Sequence, residues 1–208
     1  MTIYHWILIS GFFIFIISSI SIFIKVFSRK GIIDFAQAKG NIPIAIAYSF
    51  TGAMSPIKKE SAYLHLPTYS AGIIFHIGTF LSFFWLFLLF LNIHINSWFS
   101  YASSMAIITA SVCGVSILIK RIVQIKLRNL SNPDDYFSNL LVTGFQIFTA
   151  ITILWHSMIP ALFIYSSLLL IYIPIGKLRH TIYFFSSRIF LGIYYGGRGV
   201  WPAGKNSH

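Results

Sequence analysis

Acid is nearly absent from this chain: four Asp and Glu stand in 208 residues against fifteen Lys and Arg. Charge of both signs together makes up only 9% of the sequence. A soluble domain of this length needs far more charge to cover its surface, which excludes an ordinary water-facing exterior. Cysteine is scarcer still. The single Cys113 excludes a disulfide, a Cys-x-x-Cys-His haem attachment and a cysteine-held iron–sulfur cluster, so any such cluster belongs to a partner. The net charge of +11 would suit nucleic acid. A nucleic-acid groove, however, needs its cations on one water-facing surface of a folded module, and the hydropathy overrides that class.

What is present is apolar. The chain is 57% hydrophobic with a mean hydropathy of +0.80, and it holds 21 Phe and 11 Tyr. Five apolar runs, at about residues 3–27, 67–91, 98–119, 137–157 and 161–175, each approach the ~20 residues that a helix needs to cross ~30 Å of hydrocarbon. The fifth run is the shortest and is expected to continue as helix past Pro174 to about residue 185. The first run lacks a basic leader and stays apolar up to Lys25, which reads as a retained span and not a cleaved signal peptide. These features predict one all-α domain over residues 1–208: a polytopic bundle of five transmembrane helices with an inner loop at 28–66 and an inner tail at 186–208.

Charge orients the bundle. Lys25, Arg29, Lys30, Lys39, Lys58 and Lys59 follow the first run, Lys120, Arg121, Lys126 and Arg128 the third, and Lys177, Arg179, Arg188, Arg198 and Lys205 the fifth. The odd-numbered spans therefore end on one side, which the positive-inside rule makes cytoplasmic, with the N-terminus outside. Trp6, Trp98 and Trp155 fall at the expected outer ends as an interfacial belt, while Trp85 lies within the bundle. The middle of the inner loop, NIPIAIAYSFTGAM, is apolar enough to lie on or dip into the interface.

The histidines carry the chemistry. His76 lies nine residues after Pro67, about 13 Å along a helix, with no charged neighbour in its run. An imidazole at that depth needs a hydrogen bond or a metal. His180 closes the fifth run, which travels inward and ends at the level where the second begins, so the two histidines can face each other. Two imidazoles on antiparallel helices supply the axial nitrogens of one six-coordinate b-type haem. The alternative for His76 is a hydrogen bond to a neighbouring helix. Lys177 and Arg179 match haem propionates at the wet inner edge, or simply obey the positive-inside rule. Gly72, Gly78 and Gly144 offer clearance for a flat macrocycle, although glycine is common in membrane helices. His65 is a candidate for a propionate or a quinone head group, against the plainer reading of a solvated loop histidine. His156, near an outer end, is a candidate for lining a quinone pocket, against an ordinary interfacial histidine.

The five-span order, FHIG at 75–78, SNPDDYFSNLL at 131–141 and GKLRH at 176–180 resemble the cytochrome b membrane subunits of the respiratory nitrate reductase gamma type. The PDDYF segment is most similar to the branch that partners heterodisulfide-reductase-like iron–sulfur proteins, including the membrane cytochrome of the dissimilatory sulfite reductase system. The resemblance spans most of residues 3–185. It implies an integral protein of the cytoplasmic membrane, quinone chemistry, b haem in the bundle, and electron exchange with a cytoplasmic-side iron–sulfur subunit of a larger oxidoreductase that performs the final catalysis. His76 and His180 match the pair that ligates the inner haem. Where two-haem members carry a second pair this chain has Leu86 and Leu162, so the resemblance implies one haem, and a quinone that approaches that haem directly; a second haem between outer histidines such as His94 and His156 is the alternative. Arg198 and Trp201, in the RGVWP tail, are the expected partner anchors. A haem-free membrane anchor is the competing function. A transporter is disfavoured because the first, third and fourth runs hold no buried acid or base and no paired broken helices are evident.

Overall fold

The structure, a computed structural model, describes residues 2–28, 37, 39–55 and 66–202. Among them there is no β-strand. In hydrocarbon every backbone N–H and C=O must be satisfied within the protein, and a helix does this within one segment. The helices are α1 (Ile3–Phe27), α2 (Ile42–Phe50), α3 (Leu66–Phe90), α4 (Ser97–Val123), α5 (Ile125–Asn129), α6 (Pro133–Leu154), α7 (Ile159–Tyr172) and α8 (His180–Gly197). Helices α1, α3, α4 and α6 are each long and apolar enough to cross a membrane, and α7 with α8 makes a fifth if that pair counts as one broken span.

Local chemistry sets the ends. Asn132 caps α6: its side chain accepts from the Asp135 backbone N–H and the Asp135 carboxylate accepts from the Asn132 N–H, with Pro133 in the first turn. This capping box starts the helix at 133, four residues before the apolar run suggests. The expected continuous fifth helix is corrected, because it stops at Tyr172. Pro174 has no N–H to donate and crowds the preceding turn, so the chain passes through a turn and a 3-10 segment, Lys177–Arg179, before α8 begins at His180.

The chain forms two compact units. The first holds residues up to Ile17 together with 65–178. Lipid is as apolar as leucine, so its helices associate through close approach and interhelical hydrogen bonds. A Cβ on Gly78 would meet Ala110 of α4 at 2.1 Å, and one on Gly114 would meet Phe75 and Thr143 at 2.5 Å. Ser104 of α4 donates to the Ala150 carbonyl of α6 at 3.1 Å, and Tyr165 of α7 donates to Leu141 at 3.2 Å. Helix α1 joins through Ser167, which donates to the Ile7 carbonyl at 3.0 Å beside Gly11. Phe145, Phe163, Ile107 and Leu162 are fully buried at the centre. Trp85 is buried as expected, whereas Trp6, Trp98 and Trp155 are exposed.

The second unit holds residues 18–64 and 179 onward. Helix α2, the apolar middle of the expected loop, lies against α8. Gly192 and Gly196 permit this, since a Cβ would meet the Ile46 backbone at 2.5 Å and the Ala45 Cβ at 2.6 Å. Ser49 donates to the Arg188 carbonyl at 2.9 Å, and Phe27 stacks on Phe190.

Candidate functional site

One end of the first unit is knitted together by basic residues. Lys120, at the end of α4, donates to Thr68 in the first turn of α3. Arg121 bonds Ser131 at 3.2 Å and pairs with Asp135 at 3.2 Å. Lys177 pairs with the same carboxylate oxygen. The Asp135 side chain is only 3% exposed, so this acid is stabilised by its two cations and the capping N–H together. The start of α3, the end of α4, the start of α6 and the turn after α7 therefore share one end. This alternation agrees with the charge pattern of the sequence. Lys177, a candidate for a haem propionate or a quinone head group, pairs with Asp135 in this structure.

His76 sits two turns above Thr68 on α3. It lies on the exposed stripe with Ile73, Ile77 and Phe80, opposite the buried face of Phe75, Gly78 and Ser82. Gly72, one turn below, has nothing among the described residues within 4 Å of the place a Cβ would occupy. Below an exposed imidazole, a glycine that no described residue fills leaves clearance beside which a macrocycle edge could lie. Gly78 and Gly144 do not offer that clearance: Ala110 fills the first and the Tyr165 hydroxyl the second. His180 and Arg179 are both exposed and stand at the start of α8, in the second unit.

The backbone beside His76 is held from α6. Gln146 is fully buried, and its Nε2 donates to the Phe75 carbonyl and to Thr79 Oγ1, both at 2.8 Å. Thr79 in turn donates to the same carbonyl at 2.8 Å. Gln146 Oε1 is buried without a partner among the described residues. Sequence reasoning passed over this residue. The signal was a lone amide inside VTGFQIFTA, where a polar group must find an interhelical bond.

His156 is at the opposite end. With Tyr4, His5, Leu89, Asn92 and Ser157 it lines a cavity of about 480 Å³. His5 packs edge-on against Phe163 at 5.1 Å and shares a 2.7 Å hydrogen bond with Thr2 through Nδ1. Asn92 turns the chain out of α3 with a φ of 54°. His94, expected near the same end, does not line this cavity, which instead brings His5 to His156. Leu89 lies thirteen residues after His76 on α3, so the cavity is about 20 Å along the helix from that imidazole.

His65 lies outside the described residues, as do 203–208 of the tail. Trp201 is half-buried, packing on Tyr195 at 4.6 Å and Tyr48 at 5.6 Å, and Arg198 lies over the Tyr194 ring at 4.3 Å. These expected anchors thus take part in the packing of their own unit. Among the described residues no three His, Cys, Asp or Glu side chains gather as a metal site. No protein-family model, curated protein or solved structure matches the chain.

Proposed function

We propose that this membrane protein is a b-type cytochrome subunit: it anchors a respiratory oxidoreductase and passes single electrons between a quinone pool and an iron–sulfur partner. The observation that carries this reading is His76, an imidazole presented on the apolar face of a membrane-length helix, one turn above Gly72 and next to the Phe75 carbonyl that Gln146 holds. His76 and His180 would each offer a ring nitrogen to iron, while Arg179, Lys177 and His65 would meet the propionates or a quinone head group. Held by these residues, a b haem would supply a one-electron carrier, so the subunit would relay electrons and leave the final catalysis to its partners. Arg198 and Trp201, with the basic loops, would face the iron–sulfur subunit, and the basic end would be cytoplasmic in the inner membrane. The cavity at His156 suits a quinone ring by its mixture of imidazoles, amide and apolar wall, but its distance from His76 argues for a quinone site nearer the basic end.

A haem-free anchor for a peripheral complex is the second reading. The pairing of Lys177 with Asp135 and the filling of Gly78 and Gly144 favour it. The reduced-minus-oxidised visible spectrum of the purified protein decides between the two. One b haem per chain, lost in both His76→Ala and His180→Ala, is expected; an intact protein that folds, inserts and shows no haem band would establish the anchor.

A further inference from the structure

Every Lys and Arg of the first unit, at 120, 121, 126, 128 and 177, belongs to its basic end. The cavity at the opposite end is lined by none of them, nor by Asp or Glu, among the described residues. Three separate segments converge on it: His5 from the start of α1, Asn92 from the turn after α3, and His156 with Ser157 from the 3-10 turn His156–Met158 between α6 and α7. The His5 ring is held in place. It packs against Phe163 and Tyr4, each at 5.1 Å, while its Nδ1 shares the 2.7 Å bond with Thr2 Oγ1 and lies 3.4 Å from the Thr2 backbone N–H. Its Nε2 is the polar atom left over. Neither that nitrogen nor the ring of His156 has a hydrogen-bond partner among the described residues.

We infer that this cavity is a site for a divalent transition-metal ion such as Zn²⁺, held by His5 Nε2 and His156, with Asn92 or Ser157 and water completing the shell. The donor set selects the ion. Imidazole suits zinc, copper and nickel, whereas Ca²⁺ and Mg²⁺ are held chiefly through carboxylate oxygens, which this lining lacks. An anion would find no lysine or arginine here. With Nδ1–H donated to the Thr2 hydroxyl, the Nε2 lone pair of His5 is left for the metal, which is how outer partners orient ligating histidines. Two imidazoles are fewer than the protein ligands of a closed structural zinc site, so this one exchanges its ion. The bound ion would tie the start of α1 to the turn between α6 and α7, adding to the bond from Ser167 to the Ile7 carbonyl. The site is independent of any haem.

Its test starts with the unaltered full chain in neutral detergent, purified through a tag without histidine and stripped with a chelator that is then removed. The protein is treated with diethyl pyrocarbonate with and without ZnCl₂, and the modified histidines are located by mass spectrometry. Zinc at about ten times its half-protecting concentration should slow modification of His5 and His156 roughly tenfold by mass action, with one shared midpoint, and leave His94 unchanged. MgCl₂ should protect neither. In isothermal titration, His5→Gln and His156→Gln should each weaken zinc binding by at least the roughly tenfold that loss of a supporting partner alone costs, while His94→Gln should not weaken it. Protection of only one of the two histidines, equal protection by MgCl₂, or an equal loss in His94→Gln would overturn the site. So would a haem band that disappears in His5→Gln, which would make the cavity a porphyrin site.

Discussion

Gln146 shows what a single polar residue does inside a membrane bundle. Its two bonds tie α6 to α3 on either side of His76, where lipid gives no hydrophobic drive to hold the helices in register. Gln146→Leu removes these bonds but also the unpaired Oε1, so it should cost only about 1 kcal/mol in detergent unfolding. Gln146→Ala should cost more, roughly 2 kcal/mol or above, because it also leaves a cavity. An alanine variant no weaker than the leucine variant would mean that the site collapses freely. Asp135 is the second such residue. Asp135→Asn keeps an acceptor for the Asn132 N–H while removing the charge that Arg121 and Lys177 share, and a loss of about 1–3 kcal/mol is expected. Because both cations are partly exposed, that loss should shrink when thermal unfolding is repeated in high salt. His76 was legible in the sequence as a lone imidazole, while Asp135 stood within PDDYF with no role assigned to it. The partners of Asp135 were not legible, since Arg121 and Lys177 lie on other helices and meet it only through packing.

At the scale of elements, composition identified the membrane-length helices but not all of their breaks. Pro174 stood in plain view, yet the fifth run was expected to pass it, as proline-containing transmembrane helices often do. The turn after Tyr172 instead frees α8 to begin at His180. Helix α2 was legible only as an apolar patch in a polar loop. What makes it a packed element is the bare backbone of Gly192 and Gly196, which allows α8 to approach Ile46 and Ala45 closely. Gly192→Ile should therefore push the two helices apart at a cost of about 1–3 kcal/mol. The measurement is protease sensitivity of the segment around α2 in the folded protein, which should rise; unchanged cleavage would show that α2 does not depend on that contact.

For the whole molecule, the charge distribution predicts a fixed orientation. In a Cys113→Ala background, His94→Cys and Lys126→Cys should react with a membrane-impermeant maleimide from opposite sides of sealed vesicles, and Lys126→Cys from the cytoplasmic side. Labelling of both from one side would contradict the alternation of α3, α4 and α6 that the bonds at Thr68, Ser131 and Asp135 describe.

The amino-acid sequence by itself determined the membrane class, the helical content, the number of apolar runs and the end at which charge gathers. These follow from composition and run length, because the cost of placing backbone and charge in hydrocarbon depends on each segment alone. Only the tertiary structure decided that Lys177 serves Asp135, that Gly144 receives Tyr165, that His5 joins His156, and that Gln146 grips the turn of His76. Those are encounters between helices distant in the chain. Inside a bilayer they are selected by a few small side chains and hydrogen bonds, which leave little trace in hydropathy.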